Sequence, residues 1–352
     1  MAMGMGATVS SAAQVSSTLP REDAVRDASP VDVPVSLEAA AQTPATTPLT
    51  GIRTFLLDTL EMFKLRVTTM VVMTAWAGYY LGAMQSRIAT LGDAFNPTMR
   101  DTLIGVALVS CGSSVLNQVF ERRSDARMLR TAHRPLAAGR LGLLYGVFVG
   151  MLAIASGSLW LMLRTNPITG TLTLLTAVMY VGIYTPLKRY TTLATFIGAF
   201  PGAMPPLIGW TAARGSIEWP AVALFAIVFV WQFPHFMSIA WLYREDYARA
   251  GIRMLPVVQP DGWSTATEAL VYAVLMVPVS LAPWYLHIAG RLYGATAVVL
   301  GLAYLACTIR FTRITRCSAG ESRQYARDLL KVSVIYLPLL LAVLMLNATR
   351  RS

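Results

Sequence analysis

Asn117, Glu121 and Asp125 follow one another at intervals of four residues, in the segment Asn117-Gln-Val-Phe-Glu121-Arg-Arg-Ser-Asp125. On an α-helix such residues share one face, each about 6 Å further along the axis and turned by about 40°. One amide and two carboxylates on a single stripe are oxygen donors of the kind Mg2+ takes, and Mg2+ commonly shares its shell with phosphate oxygens. Arg130 and Arg134 follow shortly after the stripe, and a guanidinium can grip phosphate through two parallel N–H bonds. The pattern suits a metal-diphosphate site. It also suits a solvated face on which Glu121 and Asp125 pair with neighbouring arginines, and spacing alone leaves both readings open.

The chain that must position this stripe has 352 residues, of which 55% are apolar and 13% charged, too greasy for a soluble domain of ordinary composition. A bilayer core of roughly 30 Å needs about 20 apolar helical residues. Runs free of Asp, Glu, Lys and Arg occur at 67–86, 102–120, 141–163, 167–187, 190–213, 219–242, 269–290, 292–309 and 332–349. They predict an all-α integral membrane protein with nine spans, the lipid bilayer serving as its solvent. The acidic stripe then lies where the second span leaves the membrane.

Residues 1–50 are rich in Ala, Ser, Thr, Pro and Val and carry more acids than bases, which predicts a disordered polar tail ahead of a membrane domain at 51–352. Neither a signal peptide nor an Arg-rich, acid-poor transit peptide fits that composition. The net charge of +11 raises the question of nucleic acid, but the basic residues are sorted by loop. Arg87, Arg100, Arg164, Arg214, Arg291, Arg350 and Arg351 fall on one side of the membrane and the remainder of the 29 Lys and Arg on the other. The positive-inside rule makes the basic side cytoplasmic, with the amino terminus inside. No nucleic-acid partner is expected. The three cysteines, Cys111, Cys307 and Cys317, have no metal-ligand spacing.

A second polar segment, at 235–260, also adjoins the end of a span. The first segment as a whole, Asn117-x3-Glu121-x3-Asp125-x2-Met128-x-Arg130-Thr131-x2-Arg134-Pro135-Leu136, resembles the first acidic motif of the UbiA prenyltransferases. Further matches are Tyr184-Thr-Pro-Leu-Lys188-Arg189, Gly202-Ala-Met-Pro205-Pro206-Leu-Ile-Gly209-Trp210 and Trp231-Gln-Phe-Pro-His235-Phe, continuing through Tyr243-Arg-Glu245-Asp246-Tyr247 to Gly251-Ile-Arg-Met-Leu-Pro256. The resemblance covers roughly residues 55–347, and the Met-x-Arg-Thr-x2-Arg-Pro-Leu run is similar to the haem O synthase branch of that family.

This resemblance implies nine transmembrane helices around a central cavity and transfer of a farnesyl group from farnesyl diphosphate to a vinyl group of haem B. It implies Mg2+ as cofactor, held with the diphosphate by Asn117, Glu121, Asp125 and an opposing Asp246. Arg130, Arg134, Tyr184 and Lys188, with Arg66 as a further cation, are expected on the diphosphate, and His235 in the cavity against haem or the allylic cation. A haem A synthase is implied as the downstream partner. The location implied is a bacterial cytoplasmic membrane, with the mitochondrial inner membrane as alternative.

Two departures from the wider family pattern bear on the acceptor. Glu121 stands where Asp is usual, and Tyr243 and Tyr247 stand where quinone-type members carry Asp-x3-Asp, which favours haem over an aromatic quinone precursor. A lone buried His is ordinarily a satisfied core residue, and the motif around His235 is what lifts it above that reading. His133 and His287 carry no such motif, and most Tyr and Trp are expected as interfacial anchors. A transporter would place charges within its spans, whereas here the acids gather at one membrane face.

Overall fold

The computed structural model describes residues 48–85 and 96–349. The predicted tail over 1–50 lies outside these residues except for its last three positions, where the first helix already begins. The order is α1 (Pro48–Met62), α2 (Leu65–Met84), α3 (Pro97–Asp125), α4 (Leu143–Arg164), α5 (Pro167–Leu187), α6 (Ala194–Arg214), α7 (Trp219–Leu242), α8 (Arg244–Ala250), α9 (Trp263–Ser280), α10 (Arg291–Phe311) and α11 (Ala319–Leu346). Among the described residues the only β pairing is a single bridge between Ala289 and Ala348.

Local chemistry explains several helix starts. Asn96 and Asn166 accept from the third amide of α3 and α5, each at 2.9 Å and each followed by Pro at the first helical position, where a missing N–H costs nothing. Ser318 and Glu321 close a capping box at the start of α11. Gly215 and Gly251 end α6 and α8 in the left-handed conformation that favours glycine.

Seven of these helices are long and apolar enough to cross a bilayer, and the chain is a multi-pass membrane protein. The sequence predicts nine spans. The other two long helices among the described residues are α2 and α6, and they differ for a physical reason. Both carry Gly and Trp, with Tyr79 and Tyr80 in α2 and Pro201, Pro205 and Pro206 in α6, in place of large aliphatics. Their backbones touch, so that a Cβ on Gly78 would strike the Pro206 backbone and one on Gly209 the Ala75 carbonyl. Helices in lipid gain nothing by hiding apolar surface from one another, so close van der Waals approach at small residues supplies the association. Leu144, Phe148, Leu163 and Ile335 correspondingly point outward.

The fourth and fifth predicted spans meet the active region differently. Residues 179–184 of α5 form a π-helical turn before regular helix resumes at Thr185. Such turns insert one extra residue and re-aim the side chains that follow. The turn stacks Tyr180 on Tyr184, with ring centroids 5.6 Å apart, and delivers Lys188 to the end of α3. No periodicity in Tyr180-Val-Gly-Ile-Tyr184 announces it.

Candidate active site

The predicted stripe is one face of α3, and all three of its residues are buried. Glu121 is ion-paired with Lys188 at the end of α5. Asp125 Oδ2 accepts from Arg134 at 2.8 Å, in the chain that folds back after α3. Asn117 Oδ1 accepts from Lys64 Nζ at 2.9 Å while its Nδ2 donates to Thr185 Oγ1 at 3.1 Å, and Thr185 in turn donates to the Tyr180 carbonyl at 2.8 Å. The charged face is therefore a packed cluster drawn from four parts of the chain.

Lys64 was read in the sequence only as a loop charge. It sits between α1 and α2 with a left-handed backbone, φ 47°, which turns its side chain to α3. Burial, and after it the charge of Arg134, lowers its pKa to about 7. The only sequence signal was its place at the start of the first span, shared with Arg66. Lys188 behaves oppositely. Burial opposes its charge, yet Tyr184 and Glu121 outweigh burial and raise its pKa. Its Nζ lies over the Tyr184 ring, 5.1 Å from the centroid.

Two carboxylates thus face Arg134 and Lys188, with Lys64 as a third cation whenever it is protonated, a state that an arriving anion would favour. Asp125 Oδ1 is buried without a hydrogen-bond partner. An unsatisfied carboxylate oxygen beside Glu121 and the Asn117 amide is a donor set that fits a hard cation arriving with phosphate oxygens of its own. Among the described residues no group of three His, Cys, Asp or Glu side chains could hold a metal alone.

Through Lys188 the cluster meets one end of a cavity of about 400 Å3. Lys188, Tyr184 and Tyr247 line its charged end, and Val106, Val109 and Ile208 its apolar body. Along α3 the lining passes from Val106 and Val109 to Ser110, Ser113 and Ser114, turning from hydrocarbon to hydroxyl in the direction of the stripe. Gly198 lies against the Tyr184 ring, and a Cβ there would displace it. Tyr247, one of the tyrosines replacing the family's second acidic pair, has its phenol pKa pushed up by burial and so stays protonated.

The remaining predicted residues are less concentrated. Arg130 is exposed and stacks on the Tyr243 ring, 4.9 Å from its centroid. Met128 packs on Ala250 and Ile252, which joins this loop to the segment after α8, and the Arg253 amide donates to the Lys188 carbonyl at 3.0 Å. Asp246 is buried on α8 and ion-paired with Arg249 on the same helix. Arg66 and His235 line a different cavity from Tyr184 and Lys188. His133 lies 3.9 Å from Glu61 at the surface, and His287 takes a positive φ of 56° at the other end of the helices.

Residues 71–335 match the model of the UbiA prenyltransferase family. The chain is 50% identical over 307 residues to a protoheme IX farnesyltransferase of Koribacter versatilis, covering 87% of this chain and 98% of that one. It is 41% identical over 292 residues to the protoheme IX farnesyltransferase of Solibacter usitatus, covering 82% and 98%. Among solved structures, a digeranylgeranylglyceryl phosphate synthase superposes with a TM-score of 0.66 at 18% identity, over 83% of this chain and 98% of the other. A UbiA homologue from Archaeoglobus fulgidus bound to GPP and Mg2+ gives 0.52 at 15% identity, over 82% and 99%. These last two agree in fold. With an acidic stripe on α3, its cations gathered from the α1–α2 junction, the loop after α3 and the end of α5, and an apolar cavity beside it, the chain belongs to the UbiA prenyltransferase family, beside members named protoheme IX farnesyltransferase.

Proposed function

We propose that this chain is a protoheme IX farnesyltransferase, converting haem B, farnesyl diphosphate and water to haem O and diphosphate. The observation that carries the donor half is the convergence of Lys64, Arg134 and Lys188 on Asn117, Glu121 and Asp125 at the mouth of an apolar cavity. The acceptor half rests on identity to the named relatives.

The cations bind the diphosphate and stabilise the negative charge that grows as the C1–O bond breaks and its electron pair leaves with the diphosphate. Glu121, Asp125 and Asn117 would hold Mg2+, which when bound would add charge neutralisation at the leaving group. Val106, Val109 and Ile208 hold the farnesyl chain and keep bulk water from the allylic cation. Tyr180 and Tyr184 offer ring faces near that cation. The haem vinyl group gives its π electrons to C1, and water adds to the resulting cation and loses a proton, leaving the hydroxyethylfarnesyl substituent.

Asp246 completes the metal site when Arg249 releases it, and Arg130 meets the diphosphate from the Tyr243 side. The chain lies in a bacterial cytoplasmic membrane with its amino terminus inside, and a haem A synthase consumes its product. The experiment is to incubate membranes carrying this chain with haem B, farnesyl diphosphate and Mg2+ and identify the haem by mass. Prenylation of 4-hydroxybenzoate with none of haem would move the chain to the quinone-precursor branch.

A further inference from the structure

A second cavity, of about 500 Å3, shares Val67, Val71, Gly202 and Pro205 with the first and is otherwise walled by α2, α7 and α11. Its size lies within the ~300–1,000 Å3 in which proteins bind small organic molecules. Met70 and Met73 on α2 and Val334 on the membrane-crossing α11 are exposed side chains on its rim, so the groove opens sideways to lipid. None of the diphosphate cluster lines it.

His235 lines this groove, and its protonation follows from its neighbours. The Ser333 hydroxyl has one proton, which it donates to the Leu330 carbonyl at 2.7 Å. His235 Nδ1 lies 2.8 Å from the same hydroxyl oxygen. With its proton on that carbonyl the oxygen is left to accept, the arrangement in which Nδ1 carries the hydrogen it donates. The other ring nitrogen, Nε2, then keeps a bare lone pair. Trp231 stacks on the ring at 4.9 Å between centroids and 20° between planes, while donating through Nε1 to the Ser333 carbonyl at 2.9 Å. Ser333 itself is fully buried. The imidazole is thus held in place by one serine and one tryptophan, with Nδ1 on the serine. This is the arrangement by which proteins prepare a histidine to ligate a metal through one nitrogen, the other ring N–H being donated to a neighbouring group.

We infer that this lipid-facing groove binds the planar iron tetrapyrrole acceptor, with His235 Nε2 as the iron ligand and Ser333 as the positioning residue that keeps that nitrogen unprotonated. The inference rests on the haem reading above. Arg66, exposed in the first turn of α2, is the one Lys or Arg among the described residues lining the groove, and its guanidinium suits a propionate carboxylate. The strip shared by the two cavities is then where acceptor and prenyl chain approach each other.

The test uses the full chain in nanodiscs, titrated with haem B and, separately, with metal-free protoporphyrin IX, which has the same flat face and propionates but no iron. Wild type should bind haem B saturably with the absorption spectrum of nitrogen-ligated iron. His235→Ala should lose that signature. Ser333→Ala should weaken haem B by about 10- to 100-fold, the usual effect of removing a ligand's hydrogen-bond partner, with metal-free porphyrin affinity unchanged. Ser333→Thr, which keeps the hydroxyl, should restore haem B binding. Farnesyl diphosphate binding, measured on each variant, reports that it is folded. The proposal is overturned if folded His235→Ala and Ser333→Ala bind haem B with wild-type affinity and spectrum, or if Ser333→Ala weakens both porphyrins alike. Should wild type farnesylate haem B while the variants give either of those results, this site fails and the function stands. Should wild type neither bind nor farnesylate haem B, both fail.

Discussion

Lys188 and Glu121 form an ion pair between the end of α5 and the stripe of α3, with 11% and 7% of their side chains exposed. Removing one partner of such a pair leaves the other charge uncompensated, a loss of about 3–5 kcal/mol. Glu121→Gln and Lys188→Gln should each lower the unfolding temperature in detergent, and the double variant should recover most of it. Turnover should not recover, because both groups also act on the diphosphate. An active double variant would reduce the pair to a structural bond.

Lys64 donates to Asn117 and is the cation that sequence motifs do not mark. Lys64→Met should raise KM for farnesyl diphosphate and lower kcat by about 100-fold or more, the scale of losing one preorganised charge donor. Lys64→Arg should recover part of the rate. Unchanged steady-state kinetics in Lys64→Met would remove it from the site.

Chelation should stop farnesyl transfer reversibly. With EDTA in excess, turnover falls to background and added Mg2+ restores it, whereas Ca2+ restores little because it prefers longer bonds and more ligands than two carboxylates and an amide provide. Full activity in EDTA would refute a metal at Glu121 and Asp125.

Gly209 packs on the Ala75 backbone, while Gly142, at the start of α4, has open space where a Cβ would stand. Gly209→Val should cost at least about 1–3 kcal/mol through overpacking at the α2–α6 contact. Gly142→Ala should leave thermal unfolding in detergent unchanged. Equal melting temperatures for the two variants would contradict the backbone contact.

Much of this architecture is legible in the chain. Charge-free runs locate the long helices because lipid tolerates no unpaired backbone and little charge, and a four-residue step suffices to put Asn117, Glu121 and Asp125 on one face. The two helices that fail a hydropathy criterion, α2 and α6, do so because their residues are chosen for close approach at Gly78 and Gly209.

What the linear sequence determines is therefore whatever depends on short periodicity and on solvent: the long apolar helices, the oxygen-bearing stripe and the family motifs. Partnership was decided by the tertiary structure. Lys64 reaches Asn117 across 53 positions and His235 reaches Ser333 across 98, separations at which no local pattern constrains which side chains meet. A π-helical turn, invisible as a period, aims Lys188. The physical reason is common to all three: an ion pair or a hydrogen bond depends on distances of about 3 Å between atoms, and only the packing of helices sets those.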